Sequence, residues 1–428
     1  MTAGGPAKLR FSVIVASWDR ADWLRRCLMS LRQLDYPAFE IVVVADARSL
    51  DDVDTSGLKT VQVDEPNLSR ARNRGVGVAA GDVCVFIDDD SVAEPLWLAH
   101  FANAFQETSA DAVVGYVRGR NGISFQSRVS SVDAEAETHV IDDAGDAPFV
   151  PALPSGQALK LVGTNFAILR HRLLSLGGFD ENMRFFLEDT DLSLRLLQSA
   201  GVAAVAPLAQ VHHGFASSSR RTGYRVPLDL CDIGRSTRVF LLRHFYGDPA
   251  EIYDRMLRRE RARLLTHMVQ GNLEPRDVSR ILASLQVGWA DGQQASRTTL
   301  YVELQDAVFQ ALEVPCSGHQ IAAALFLSRR KKVQTFAKEQ VARGARVTVF
   351  SFSLTNARHY VRYVEDGFWL QTGGLFGRTR RLDRRFKWCK FAHRVRHEIA
   401  RIAKLRGLDN NQPVNWWGAE PSGEDKVK

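Results

Sequence analysis

Three apolar runs near the start of the chain constrain its fold more than any other feature: FSVIVAS (11–17), EIVVVAD (40–46) and VCVFIDDD (83–90). In the last of these, Val83, Val85 and Ile87 fall on one side of an extended strand and Cys84 and Phe86 on the other. A strand that is apolar on both faces must be covered on both, which is the condition of a parallel sheet between helix layers. Helical patterns separate the runs: Trp23, Leu24, Cys27, Leu28 and Leu31 form one stripe, and LSRARNRGVGVAA reads as a second helix. With TVQV (60–63) as a further strand, the order predicts an open α/β sheet, whose ligands sit beyond the carboxyl ends of the strands. Those ends carry Ser17 to Arg20, Asp46 and Asp88 to Asp90. The turn after the first strand, ASWDR, lacks the GxGxxG of a dinucleotide-binding fold.

The alternation continues with a strand over 111–117, a weakly patterned connection over 118–160, the strand-like LVGTNFAILR, a GGFDENM turn, FFLEDTDLSLRLL and AVAPLAQVHH. Helical patterns dominate 246–312, and a second βαβ-like unit runs from AAALFLS (322–328) to RVTVFSF (346–352). For 428 residues this predicts a catalytic domain over 1–245, a helical extension over 246–312 and a basic α/β domain over 313–428. A net charge of +7 points to anionic partners. Cys27, Cys84, Cys231, Cys316 and Cys389 form no CxxC pair, which argues against a zinc site and against a disulfide framework. Together with an N-terminus, MTAGGPAKLR, that lacks a signal-peptide core, this predicts a cytoplasmic protein, peripheral at the inner face of the membrane. The charge concentrates in the segment FGRTRRLDRRFKWCKFAHRVRHEIARIAKLRG, which reads as a membrane-contacting helix, a dock for an acidic partner or, the reading favoured, a helix packed on its own domain. Its Trp388, Ala392, Val395, Ile399 and Ile402 recur at helical spacing among Arg and Lys, which suits an in-plane helix or one packed on its own domain.

Adjacent carboxylates repel one another and resist desolvation, so Asp88 to Asp90 at the end of a buried strand require a cation, donors or open water. EDTDL (188–192) alone reads as an acidic helix start, and His213 alone as a strand-end histidine. In this order, however, SVIVASWDRADWLRRCLMSL, LSRARNRGVGVAAGDVCVFIDDD, VGTNFAILR, LGGFDENMRFFLEDTDLSLRL and PLAQVHH resemble the inverting family-2 glycosyltransferases with a GT-A fold, across roughly residues 10 to 245.

The resemblance implies that Asp88 and Asp90, with His213 as third ligand, hold Mn2+ or Mg2+ against the diphosphate of a nucleotide-sugar donor, and that His212 points the other way. It implies that Asp189 is the catalytic base and that Glu188 orients the site, with Asp191 capping the helix that follows. Ser17, Arg20, Asp46, Arg72, Asp88 and Asp89 then contact the nucleotide sugar; Arg70 and Arg72, on the helix before the metal strand, read equally as facing the nucleotide or water, and SSSRR (217–221) reads equally as a lid over the donor or as a solvated loop. The family often has Asn where this chain has Asp19. The implied activity is transfer of a sugar to a hydroxyl of a saccharide or lipid-linked saccharide in cell-surface polysaccharide or glycoconjugate synthesis. A nucleotidyltransferase and a non-catalytic sugar-nucleotide-binding protein are the alternatives. No nucleic-acid partner is expected.

Overall fold

The computed structural model describes residues 8–142, 145–295, 300–314, 318–409 and 411–417; Cys316 lies outside them. The apolar runs form the parallel half of a nine-stranded sheet: β1 (Phe11–Ser17), β2 (Phe39–Ala45), β3 (Lys59–Gln62) and β4 (Val83–Asp88), joined by α1 (Ala21–Leu31), α2 (Ala47–Asp51) and α3 (Leu68–Val78). The chain continues through β5 (Ser91–Ala93), α4 (Trp97–Thr108) and β6 (Ala112–Arg118), then the short strands β7 (Phe125–Ser127), β8 (Ser130–Val132), β9 (Thr138–Val140) and β10 (Ala158–Leu159). It returns in β11 (Asn165–Leu169), α5 (Arg170–Ser175), α6 (Glu188–Gln198) and β12 (Ala203–His213). The sheet order is β3-β2-β1-β4-β11-β6-β12-β5, with β7 paired to β6 as the ninth strand.

Both faces of β4 are covered, as its composition requires. Val83, Val85 and Ile87 pack with Leu24 and Leu28 of α1 and Trp97 and Phe101 of α4. Cys84 and Phe86 pack with Ala71 and Val76 of α3 and Leu192 of α6. β11 runs antiparallel between β4 and β6, with Asn165 opposite Ile87, so the chain preceding β11 lies beside the three aspartates.

The helical part begins at Cys231, earlier than the expected boundary at 246, with α7 (Cys231–His244), α8 (Pro249–Val269) and α9 (Pro275–Gln293). Glycines let α7 and α9 approach: a Cβ on Gly288 would stand 1.8 Å from Cys231 O, and one on Gly234 would stand 2.3 Å from Leu285 O. The expected helical character stops with α9. The 300–314 segment instead runs back over the first domain, where the N–H groups of Gln305 and Leu312 donate to Gly77 O (3.0 Å) and Phe39 O (2.8 Å).

The second α/β unit comprises β13 (His319–Leu325), α10 (Arg330–Ala342), β14 (Arg346–Ser353), β15 (Tyr360–Tyr363), β16 (Trp369–Gly374), α11 (Phe391–Arg406) and β17 (Val414–Trp417). Its sheet order is β15-β16-β14-β13-β17, parallel except at β15. Of the two readings of the basic helix, the structure shows the one packed on its own domain. Val395, Ile399 and Ile402 of α11 are buried with Ile321, Ala323 and Phe350 of their own sheet, and Trp388 precedes the helix. Among the described residues, no helix is long and apolar enough to cross a membrane.

Candidate active site

β4 ends in a reverse step to β5, which leaves three carboxylates in three different settings. Asp88 is partly open, whereas Asp89 and Asp90 are buried. Asp89 Oδ2 accepts from Ser17 Oγ at 2.7 Å and lies 3.2 Å from Arg20 Nε, so the end of β1 supports it. Burial pushes the Asp89 carboxyl well above the usual carboxylate range; Arg20 and Ser17 oppose that shift, and the neighbouring Asp90 adds to it.

β12 brings His213 onto the same point. Its Nε2 is 3.0 Å from Asp90 Oδ1, and its Nδ1 is hydrogen-bonded with Gln126 Oε1 at 2.8 Å. Asp90 Oδ2 accepts the N–H of Ala216 at 2.7 Å. Burial pushes the Asp90 carboxyl up, but His213, Arg20 and the Ala216 N–H outweigh it and hold the group below its ordinary range. Ligand atoms of Asp88, Asp90 and His213 all lie within 4.8 Å of one another, the spacing of groups able to share one divalent ion. Two carboxylates and an imidazole suit Mn2+ or Mg2+ sharing its shell with phosphate oxygens. His212 does point the other way: its Nε2 is 2.8 Å from Glu94 Oε1 and its ring lies 4.7 Å from that of Trp369 in the C-terminal domain.

The second acidic group stands at the first turn of α6. Phe186 and Leu187, immediately before it, have φ of 78° and 66°, a left-handed conformation that costs a non-glycine residue and that clusters at functional sites. Glu188 is buried and its Oε1 accepts from Arg72 Nη1 at 2.6 Å. Burial first, then the adjacent Asp189, pushes the Glu188 carboxyl up to about 7 against the pull of Arg72. Arg72 Nη2 also donates to Gly163 O at 2.9 Å and lies 3.3 Å from Asp88 Oδ1, so one guanidinium spans both acidic groups. Asp189 Oδ2 accepts the N–H of Gly163 at 2.7 Å, and Oδ1 accepts from Thr190 Oγ1 at 3.1 Å. A Cβ on Gly163 would come within 2.8 Å of Arg72 Nη2 and 3.1 Å of Asp189 Oδ2, which explains the glycine before β11.

Asp191 is not a solvated helix cap. It is fully buried, with Arg195 Nε at 2.7 Å, His244 Nε2 at 2.8 Å and Arg243 Nε at 3.5 Å. Burial raises its carboxyl, but Arg195, His244 and Arg243 outweigh this and hold it below the usual range.

A cavity of about 110 Å³ adjoins the aspartates, lined by Ser17, Arg20, Asp88 to Asp90 and His213 from the expected set, and by Ser218 and Arg221 of the SSSRR loop. It shares Trp18, Arg20, Pro66, Ser218 and Arg220 with an outer cleft of about 580 Å³. Asp46 lines neither. Its carboxylate accepts from the N–H of Asp19 (2.7 Å), the N–H of Ser49 (3.0 Å) and Ser49 Oγ (2.7 Å), tying the turn after β1 to the start of α2. Arg70 pairs with Glu181 at 2.7 Å and with Glu65, away from the aspartates. Sequence reasoning missed Val63, Glu65 and Asn67 in the cavity wall, although they follow β3 and its carboxyl end is where an α/β sheet places ligands.

Residues 12–146 match the family model described as glycosyl transferase family 2. The chain is 26% identical over 236 residues to the O-antigen biosynthesis protein RfbC of Myxococcus xanthus, covering 50% of this chain and 18% of that protein. It is 25% identical over 260 residues to the inactive polypeptide N-acetylgalactosaminyltransferase-like protein 5 of Macaca fascicularis, covering 55% of this chain and 58% of that one. The chain therefore spans less than two thirds of the length of either relative. Among solved structures, S. aureus TarS 1-349 in complex with UDP-GlcNAc has a TM-score of 0.42 at 16% identity, covering 66% of this chain and 79% of that one. The family match takes in Ser17, Arg20, Asp46, Arg72 and Asp88 to Asp90, while Glu188, Asp189 and His213 lie beyond it. By that match residues 12–146 are similar to glycosyl transferase family 2.

Proposed function

We propose that the chain is a metal-dependent, inverting glycosyltransferase that moves a sugar from a nucleotide-sugar donor to a hydroxyl of a saccharide or lipid-linked saccharide acceptor. The observation that carries this reading is the span of Arg72 between two acidic groups of different character: one with the geometry of a divalent site, the other with a carboxylate at a helix start. Asp88, Asp90 and His213 are the residues suited to hold Mn2+ or Mg2+, which when bound supplies positive charge against the diphosphate leaving group. Arg20 and Arg221 line the same cavity and add positive charge beside the phosphates. The cavity and its outer cleft take the nucleotide, and Asp46 acts by holding the turn after β1 in place.

In the transfer step Asp189 accepts the proton of the acceptor hydroxyl. The acceptor oxygen bonds to the anomeric carbon from the face opposite the diphosphate, and the carbon–oxygen bond to the diphosphate breaks with its electron pair leaving on phosphate, so configuration inverts. Glu188, paired with Arg72, sets the position of that guanidinium against Asp88 and Gly163.

The test is turnover of a panel of nucleotide sugars by the full chain with Mn2+ and with EDTA, with the product's anomeric configuration read by proton NMR. The reading expects metal-dependent release of nucleoside diphosphate and an anomer opposite to the donor's. Formation of a nucleotide sugar from a nucleoside triphosphate would support a nucleotidyltransferase, and binding without turnover a non-catalytic protein.

A further inference from the structure

The C-terminal domain has a cavity of its own, about 400 Å³, lined by residues that follow β16 and by the first turns of α11. Beyond the carboxyl ends of parallel strands is where an open α/β sheet offers a ligand site. Arg378, Arg384, Lys387 and Arg394 give the wall its charge. Arg394 is 7% exposed; its Nη1 lies 3.2 Å from Glu398 Oε1 and its Nη2 3.4 Å from His359 Nδ1, while its Nε has no partner among the described residues. The carboxylate in the wall, Asp383, is committed to its own turn, accepting the N–H groups of Thr379 at 3.2 Å and Arg380 at 2.6 Å. Among the described residues, neither Arg384 nor Lys387 has an ion-pair partner.

The loop over this cavity, 376–390, holds seven Arg or Lys against one Asp, so it attracts an anionic surface rather than a neutral one. It also exposes apolar side chains beside those cations: Leu382 is 97% exposed, Trp388 79% and Phe386 45%. Cations around exposed Leu and Trp are what an interfacial surface needs, because the apolar groups enter the headgroup boundary while the charges meet lipid phosphates. A single-stranded nucleic acid would use aromatic faces for stacking. Here the most exposed group is aliphatic, and Phe386 and Trp388 meet each other edge to face at 5.3 Å.

We propose that the 376–390 loop docks the protein on an anionic membrane surface, with a lipid phosphate seated in the cavity beneath it. This uses the loop before α11, not the apolar face of α11, and it does not rest on the assignment of the active site. The experiment is sedimentation of the full chain with phosphatidylcholine vesicles, with and without phosphatidylglycerol. Partition is expected with the anionic vesicles alone and should weaken as salt is raised. Arg384→Gln with Lys387→Gln should reduce it about thirtyfold, and Leu382→Ser with Trp388→Ser at least about tenfold. Unchanged thermal unfolding of both variants checks that these exposed positions leave the fold intact. Absence of partition, or equal partition of parent and variants, overturns the proposal. Calorimetric binding of inorganic phosphate without vesicle binding also overturns it and leaves a site for soluble phosphate; preference for single-stranded RNA over vesicles overturns it in favour of nucleic acid.

Discussion

Asp189 and Asp191 are two residues apart on α6 and stand in different surroundings. Asp189 is partly exposed and held by the N–H of Gly163, and under the proposed reading its carboxylate takes the acceptor's proton. Asp189→Asn preserves shape while removing that proton acceptor. It should lower turnover about 100- to 10,000-fold and leave donor affinity nearly unchanged, as steady-state kinetics and donor titration would show. Asp191, buried among Arg195, His244 and Arg243, is placed to hold the fold, and Asp191→Asn should cost about 3 to 5 kcal/mol of stability in denaturant unfolding by leaving the buried Arg195 without its carboxylate. Its carboxyl is held below the usual range in the folded protein, so its contribution is present above the unfolded value of about 3.9 and is lost as pH falls through the folded one. The variant should therefore lose part of the parent's acid sensitivity. EDTDL alone reads as an acidic helix start and the role proposed for Asp189 came from the family resemblance, whereas the partners of Asp191 lie on α6 itself and on α7, some of them more than fifty residues on, which no local pattern reveals.

At the scale of elements, β1, β2 and β4 were legible because both faces of each are apolar, and α1 because its stripe is regular. The strands β7 to β10 are two or three residues each, too short to carry a period, and they fall in the connection read as weakly patterned. The helix that precedes the expected boundary, α7, carried no apolar stripe in its first half, where the buried positions are Gly234, Ser236 and Thr237. Gly288 and Gly234 allow α7 and α9 into near backbone contact, so Gly288→Ala, with its Cβ 1.8 Å from Cys231 O, should force the helices apart. Overpacking of this kind costs about 1 to 3 kcal/mol, to be read as a lowered unfolding midpoint. Turnover per folded molecule should stay close to the parent's, since neither helix lines the inner cavity.

Across the whole molecule, the site is assembled by the sheet order. β4, β11 and β12 converge so that Asp88 to Asp90, Gly163 and His213 meet, although they span more than a hundred residues of chain. The same convergence joins the domains: Arg406 of α11 donates to Glu94 at 2.8 and 3.0 Å, and Glu94 in turn holds His212, the neighbour of His213. This joint was not legible, because Arg406 reads in sequence as one more cation on a basic helix. The parts agree on one claim, that the strand-end carboxylates bind a donor through a divalent ion. Its most direct test is calorimetric titration of the full chain with UDP-sugar, and then with other nucleotide sugars, in Mn2+ and in EDTA, repeated with Asp90→Asn. The account predicts binding in Mn2+ that weakens at least about tenfold both in EDTA and in the variant, whose unfolding free energy stays within about 2 kcal/mol of the parent's. Equal donor affinity in Mn2+ and EDTA would contradict it.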